Sequence, residues 1–185
     1  MKKSKVKKTS SKKSSSLVKP YKSMKELLLE NSPHAPIDMQ GAKKTGLRTQ
    51  FAALCYRMRK GKPEILLVTS RRTQRWIIPK GWPMDGLRPA QSAAVEALEE
   101  AGVEGKVYNA SLGVFSYTKL HVSGRALPCV AMVYPLKVKK IHDSYREVKQ
   151  RKRSWYGRAE AARKVSNPEL AHIIRTFDPS LLSKS

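Results

Sequence analysis

The sequence predicts an α/β fold, and three observations support this prediction. Strand-like runs alternate with helical segments from residue 49 onward. The segment Pro89–Ala101 is rich in alanine, begins with proline and is followed by Gly102, which is typical of a helix that packs closely on a sheet. The chain has 185 residues, which is long enough for one domain with its own core.

The predicted strands are runs of apolar, β-branched and aromatic residues bounded by turn-forming residues. They cover Thr49–Arg57, Glu64–Thr69, Trp76–Ile78, Lys106–Tyr108, Leu112–Tyr117, Ala126–Val138 and Ser154–Tyr156. The predicted helices cover Pro89–Ala101, Arg158–Lys164 and Pro168–Phe177. Mixed strands with helices between them favour an α/β sandwich.

The N-terminal segment differs from the rest of the chain in composition. Residues 1–22 contain nine lysines and no acidic residue, and they hold too little apolar sequence to form a core, so we expect a disordered tail. The tail is either simply solvated or attracted non-specifically to nucleic acid or polyphosphate. Residues 23–46 are predicted to form a short helix and a linker, 47–178 the folded domain, and 179–185 a C-terminal tail.

The net charge and the cysteines indicate which partners and which cellular compartment the sequence favours. The net charge of +24 favours polyanionic partners. No run of 18 apolar residues is present and the N-terminus lacks a signal-like apolar segment, so neither a membrane span nor secretion is predicted. Cys55 and Cys129 lie in apolar runs, which favours buried reduced thiols and a cytoplasmic protein.

A cluster of glutamates on the helix 89–101 is the strongest functional signal. Glu99 and Glu100 lie about 60° and 40° to either side of Glu96, and the three span about 6 Å along the axis. Close carboxylates repel one another and need a cation or a proton. A solvated acidic face is the alternative, but no Lys or Arg lies three or four positions from any of them. A site for a hard divalent metal ion is therefore favoured.

The run around this cluster resembles the signature box of the Nudix hydrolases. The matching positions, at the family's spacing, are Gly81, Glu96, Ala97, Glu99, Glu100, Gly102 and Val103. Leu87 and Val95 depart from the pattern, since the family has there a Glu and an Arg that commonly pair. The flanking runs Phe51–Arg57, Ile65–Ser70 and Arg75–Pro79 are similar to the diphosphoinositol polyphosphate phosphohydrolase branch, and the likeness extends over residues 47 to 177.

The resemblance implies a Nudix-type α/β/α sandwich with a mixed β-sheet and the acidic box helix packed on it. It also implies that Mg²⁺ (or Mn²⁺) is held by Glu96, Glu99, Glu100 and the carbonyl of Gly81, and that these glutamates are the catalytic residues. Glu147 is either the general base or a surface carboxylate that pairs with Arg146 or Arg151.

A phosphate-rich substrate needs further cations around the metal. The candidates flank the box on both sides in sequence, and each could instead be a solvated surface charge; they are Arg57, Arg71, Lys80, Arg151 and Arg153. By resemblance, Arg57 and the run Arg151–Arg153 fall where the inositol branch contacts phosphates.

The resulting hypothesis is metal-dependent hydrolysis of a diphosphate bond in a diphosphoinositol polyphosphate or a dinucleoside polyphosphate. The alternative is a catalytically weakened binding module for nucleotides or RNA. This alternative is considered because Leu87 and Val95 stand where the family's box has a Glu and an Arg that pair.

Overall fold

The computed structural model describes residues 49–120 and 126–182. The segments predicted as a disordered tail, 1–22, and as a short helix with a linker, 23–46, lie outside the described residues.

The described residues form eight strands and three α-helices. The strands are β1 (Thr49–Arg59), β2 (Lys62–Thr69), β3 (Trp76–Ile77), β4 (Lys80–Gly81), β5 (Val103–Val107), β6 (Gly113–Leu120), β7 (Ala126–Ile141) and β8 (Arg153–Gly157). The helices are α1 (Pro89–Ala101), α2 (Arg158–Lys164) and α3 (Pro168–Thr176), and a 3₁₀ turn covers Pro179–Leu182.

The strands form one mixed sheet in the order β3-β2-β1-β7-β5. The pairing of β1 with β7 is parallel, and the pairings of β1 with β2, of β2 with β3 and of β5 with β7 are antiparallel. Three further antiparallel pairs complete the sheet: β4 with β1, β6 with β7 and β8 with β2. The mixed sheet is as predicted.

The sheet buries a separate apolar cluster on each face, because alternate residues of β1 point to opposite sides. Ala52, Leu54 and Tyr56 face α2 and α3. Phe51, Ala53 and Cys55 face α1. This is the predicted α/β/α sandwich, and among the described helices only the acidic helix lies on the second face.

Helix α1 begins and ends where the sequence predicts. Pro89 occupies its first turn, and Gly102 ends it in the left-handed conformation with φ of 62°. Its buried side is mostly alanine, and Ala93, Ala97 and Ala101 are fully inaccessible to solvent. Such small side chains let the helix backbone approach β1 closely, so the helix position is tightly determined.

Several boundaries differ from prediction because pairing, not local sequence, sets them. The strand predicted at Lys106–Tyr108 begins earlier, at Val103, where it pairs with the end of β7. The two-residue strand β4 was not predicted; it pairs with Phe51 and Ala52 of β1. At the other end, Leu182 is buried against the core, so ordered packing continues beyond residue 178.

Both cysteines are buried and neither forms a disulfide, as predicted. None of the helices in the described ranges has the length and apolar character to cross a membrane.

Enlarging a buried alanine of α1 should destabilise the fold. Ala97→Leu would insert a side chain where Ala97 is completely buried against β1, so we expect the free energy of unfolding to fall by about 1–3 kcal/mol. Urea denaturation measures the change. The control Ala159→Leu, at an exposed position of α2, should change stability by less than about 0.5 kcal/mol. Equal effects of the two substitutions would contradict the close packing of α1.

Candidate functional site

Glu96 lies directly against the backbone of Gly81. A Cβ atom built on Gly81 would overlap the Glu96 carboxylate, so any larger residue at this position would force the Glu96 side chain to move. The contact joins the C-terminal half of α1 to β4. It also places a carboxylate beside the peptide group that the sequence predicts as a metal ligand.

Glu100 is buried between β4 and the segment that precedes β8. Its carboxylate accepts a hydrogen bond from the Lys80 amide at 3.2 Å and forms an ion pair with Arg151. The side chains of both partners in this pair are less than a tenth exposed. Breaking such a buried pair by removing one partner leaves an uncompensated charge. Glu100 therefore supports the fold as well as the site.

Glu99 lies on the more exposed side of the helix. Its carboxylate pairs with Arg146 at 2.6 Å, and its main-chain oxygen accepts a hydrogen bond from the Glu147 amide at 3.1 Å. The Arg146 side chain is 70% exposed, so this pair is readily broken.

Glu99 and Glu100 thus have basic partners from a distant segment, residues 142–152, that connects β7 to β8. Besides Arg146 and Arg151, this segment contributes His142, whose amide donates to the Gly102 carbonyl at 2.8 Å and whose ring pairs with Glu104. These partners are far from α1 in sequence, so they are not visible at positions three or four residues from the glutamates, where the sequence shows no lysine or arginine.

Glu147 joins the same network. It pairs with Arg151 at 2.5 Å and with Arg71 at 3.4 Å. Pairing with Arg151 is one of the two roles that the sequence left open for Glu147. Its negative charge nevertheless acts on Glu96 and Glu100, so it belongs to the electrostatic environment of the cluster.

Burial and mutual repulsion make the cluster electrostatically unfavourable. Burial, followed by the charges of Glu100, Glu99 and Glu147, raises the pKa of Glu96 to about 7. Burial also raises the pKa of Glu100, although Arg151 and Lys80 oppose the shift. A bound cation would relieve both penalties.

The donor set fits a hard divalent cation, since it consists of carboxylate oxygens and a peptide carbonyl. In the described part of the chain, however, no three carboxylate, histidine or cysteine groups converge closely enough to hold a metal ion as they stand. Glu99 and Glu100 instead form ion pairs with arginine. Ligation would require Glu99 at least to leave Arg146.

The predicted phosphate-binding arginines are largely engaged within the protein. Arg57 pairs with Glu64 at 2.7 Å and stacks over Trp155. Arg153 donates to the Ala101 carbonyl at 2.7 Å, which places a cation at the C-terminal end of α1.

Arg151 donates hydrogen bonds to the Glu147 carboxylate, to the Thr69 carbonyl at 2.9 Å and to the Glu100 carboxylate. It therefore lies beside the cluster as a buried counter-charge. Arg71, by contrast, is 58% exposed beside Glu147. Lys80 is half-buried, and its ammonium lies 4.8 Å from the centre of the Tyr117 ring.

Sequence reasoning missed Arg146 as a member of the site. The contact of Arg146 with Glu99 joins residues that are 47 positions apart, so the sequence does not predict it. The one feature of the sequence that points to Arg146 is that it directly precedes Glu147.

Comparisons with known proteins agree with this fold. No protein-family model matches the chain. It is 39% identical over 70 residues to human diphosphoinositol polyphosphate phosphohydrolase 3-alpha, covering 38% of this chain and 42% of that protein. It is 32% identical over 123 residues to rat diphosphoinositol polyphosphate phosphohydrolase 2, covering 65% and 63%. The chain thus spans between about two fifths and two thirds of these relatives.

A structural neighbour is the Ap4A hydrolase of C. elegans, with a TM-score of 0.53 and 20% sequence identity. The likeness covers 73% of this chain and 98% of that one, and at this identity it shows the fold alone.

The chain is therefore similar in sequence to diphosphoinositol polyphosphate phosphohydrolases over part of its length, and it shares its fold with the Ap4A hydrolase.

The raised pKa of Glu96 predicts a pH-dependent penalty on stability. Between about pH 4.5 and pH 7, Glu96 keeps its proton in the folded state but loses it in the unfolded state, where its pKa has the usual value of 4.5. The free energy of unfolding therefore falls as the pH rises through this window. Glu96→Gln, measured by urea denaturation in EDTA, should therefore stabilise the protein at about pH 8 by at most about 3 kcal/mol. The gain should vanish near pH 4.5.

The matched control is Glu160→Gln on α2, whose side chain is 50% exposed; it should change stability little at either pH. An equal effect of Glu96→Gln at both pH values would contradict the proposed ionisation.

Proposed function

We propose that this protein hydrolyses a diphosphate bond in a phosphate-rich substrate with the help of a divalent metal ion. The observation that carries the proposal is the arrangement of Glu96, Glu99 and Glu100 on one buried helix, with Glu96 against Gly81 and basic residues around them. The named activity of the diphosphoinositol polyphosphate phosphohydrolases supports it.

Glu96, Glu99, Glu100 and the Gly81 carbonyl would hold Mg²⁺ or Mn²⁺. When bound, such an ion polarises phosphoryl oxygens and lowers the pKa of an attacking water. The elevated pKa of Glu96 would suit it to exchange a proton near neutral pH. It would either accept the proton of the attacking water as general base or release its own proton when it binds the metal ion. Glu147 is the other candidate base, because it lies in the same network.

The surrounding cations would bind and orient the substrate. Arg71 and Arg146 are the more exposed arginines of the network, and they could turn from carboxylates to phosphate oxygens. Arg151 would stay buried and hold Glu100 and Glu147 in place. The cation excess of the whole chain would attract polyanions from solution.

Two substrate classes fit, diphosphoinositol polyphosphates and dinucleoside polyphosphates. The lysine-rich segment 1–22 would add non-specific attraction to such substrates or to nucleic acid. The buried thiols, which form no disulfide, fit a reducing compartment such as the cytoplasm.

A substrate panel tests the activity. Purified protein with Mg²⁺ or Mn²⁺ should release phosphate or a nucleotide from a member of one class, and EDTA should abolish the release. Glu99→Gln should reduce turnover by at least about a hundredfold, since it removes a proposed metal ligand, whereas Glu160→Gln should have no effect. The absence of turnover on both classes, by a folded protein that binds Mn²⁺, would refute the enzyme and favour a weakened binding module.

The pairing of Arg146 with Glu99 predicts competition between this arginine and the metal ion. Arg146→Ala should tighten Mn²⁺ binding by about two- to fivefold, since an exposed ion pair must otherwise be broken first. Isothermal titration calorimetry measures the affinity. Arg163→Ala, at an exposed position of α2, should leave it unchanged. Weaker Mn²⁺ binding by Arg146→Ala would show that Glu99 does not exchange partners.

A further inference from the structure

The guanidinium group of Arg88 is buried at the start of α1 without a partner in the part of the chain that the structure describes. The residue is 5% exposed, and none of its three side-chain nitrogen atoms finds a hydrogen-bond acceptor there. A guanidinium group is always charged and carries five N–H donors. Burying such a charge is costly unless an acceptor of opposite charge lies beside it. The position of Arg88 therefore requires an anionic partner.

The helix end beside Arg88 does not provide this partner. The Arg88 amide donates to the side-chain oxygen of Gln91 at 2.9 Å, and the Met84 amide donates to the Ser92 hydroxyl at 3.3 Å, so the main chain at the start of α1 is held in place. Arg88 itself occupies the N-cap position, and its guanidinium group cannot accept a hydrogen bond from the helix amides. The positive end of the helix adds to the charge that needs a partner.

Leu87 is buried next to Arg88, and the two apolar clusters described above do not account for its burial. Leu87 is 2% exposed, yet it belongs to neither of the clusters that the described residues form on the two faces of the sheet. A buried leucine beside a buried arginine is stabilised by a segment that brings both apolar and acidic side chains.

Few acidic residues are available to pair with Arg88. Within residues 49–120 and 126–182, no acidic residue forms an ion pair with it, and Asp85, the nearest in sequence, is exposed. The remaining acidic residues of the chain precede β1, and they are Glu26, Glu30 and Asp38.

The segment 23–48 contains apolar side chains as well as these three carboxylates. They lie close to the two glutamates in sequence, and they are Met24, Leu27, Leu28 and Leu29. The segment therefore has the composition that the surroundings of Leu87 and Arg88 require. The lysine-rich segment 1–22 has no acidic residue and cannot take this role.

The strand register allows the segment 23–48 to reach Arg88. Gly81 of β4 pairs antiparallel with Phe51, so the chain before β1 and the chain after β4 leave the same end of the sheet. Glu96 contacts Gly81, and Arg88 lies eight residues before Glu96, which is about 12 Å along the helix axis. The eleven residues from Asp38 to the start of β1 can span up to about 36 Å, and the two glutamates reach further.

We propose that the segment 23–48 docks on the N-terminal end of α1, where one of its carboxylates pairs with Arg88 and its leucines cover Leu87. This contact is separate from the proposed hydrolysis. It ties the chain that precedes β1 to the helix that carries the glutamate cluster. It also fixes the point at which the lysine-rich segment 1–22 leaves the domain, because that segment directly precedes residue 23.

A double-mutant cycle on the full chain, followed by urea denaturation, tests the ion pair. The triple substitution Glu26→Gln/Glu30→Gln/Asp38→Asn should raise the unfolding equilibrium constant by at least about tenfold, because Arg88 then stays buried without a counter-charge. In the Arg88→Met background the same triple substitution should raise it by less than about twofold, since no buried charge remains. In the background of Arg163→Met, an exposed position of α2, the full effect should persist. The three single substitutions identify the carboxylate.

Hydrogen exchange followed by mass spectrometry tests the docking itself and does not depend on the folding of the triple variant. In the unsubstituted chain, amides of the segment 23–48 should exchange at least about tenfold more slowly than in an unstructured chain. Arg88→Met should reduce this protection by about threefold or more, whereas Arg163→Met should leave it unchanged.

An unchanged unfolding constant in the triple variant would overturn the proposal, and so would unprotected amides throughout the segment 23–48. Two other occupants would also contradict it. If phosphate stabilises the unsubstituted chain but not Arg88→Met, and the triple substitution has no effect, a free anion binds Arg88 instead. If the effect of the triple substitution depends on protein concentration, the carboxylate comes from a second copy of the chain.

Discussion

The packing of α1 against β1 determines where every charged group of the site lies. Alanines on the buried side bring the helix close to the sheet, which presses Glu96 against Gly81 and Glu100 against the Lys80 amide. The carboxylates cannot separate to relieve their repulsion, because the helix backbone holds them at neighbouring positions. The burial and repulsion of these groups are the reason for the raised pKa of Glu96.

The segment 142–152 places two arginines beside these negative charges, and the two differ in burial. Arg151 is buried and bonded to three partners, so it is part of the scaffold. Arg146 is exposed and bonded to Glu99 by a single pair of groups. Because of this difference in burial, Arg151 is a permanent counter-charge and Arg146 is an exchangeable one. This difference explains how arginines could balance the charge of the carboxylates when no metal ion is bound, while Glu99 could still exchange Arg146 for a metal ion.

Much of the fold was predictable from the sequence, because local signals determine it. Pro89 and Gly102 mark both ends of α1, and the apolar runs mark the long strands. The three glutamates and their proximity to Gly81 followed from helical spacing and the family resemblance. The partners Arg146 and Arg151 were not predictable as such, because the sheet topology brings residues 142–152 back to α1. Likewise, β4 exists only through its pairing with β1.

The central claim is that the glutamates of α1 are a divalent cation site. The most direct measurement is anomalous diffraction from crystals of the full chain soaked in Mn²⁺. We expect a peak bounded by the Gly81 carbonyl and at least two of Glu96, Glu99 and Glu100, with Arg146 withdrawn from Glu99. A saturating soak that leaves no peak at these groups, or that places Mn²⁺ only elsewhere on the chain, would contradict the claim.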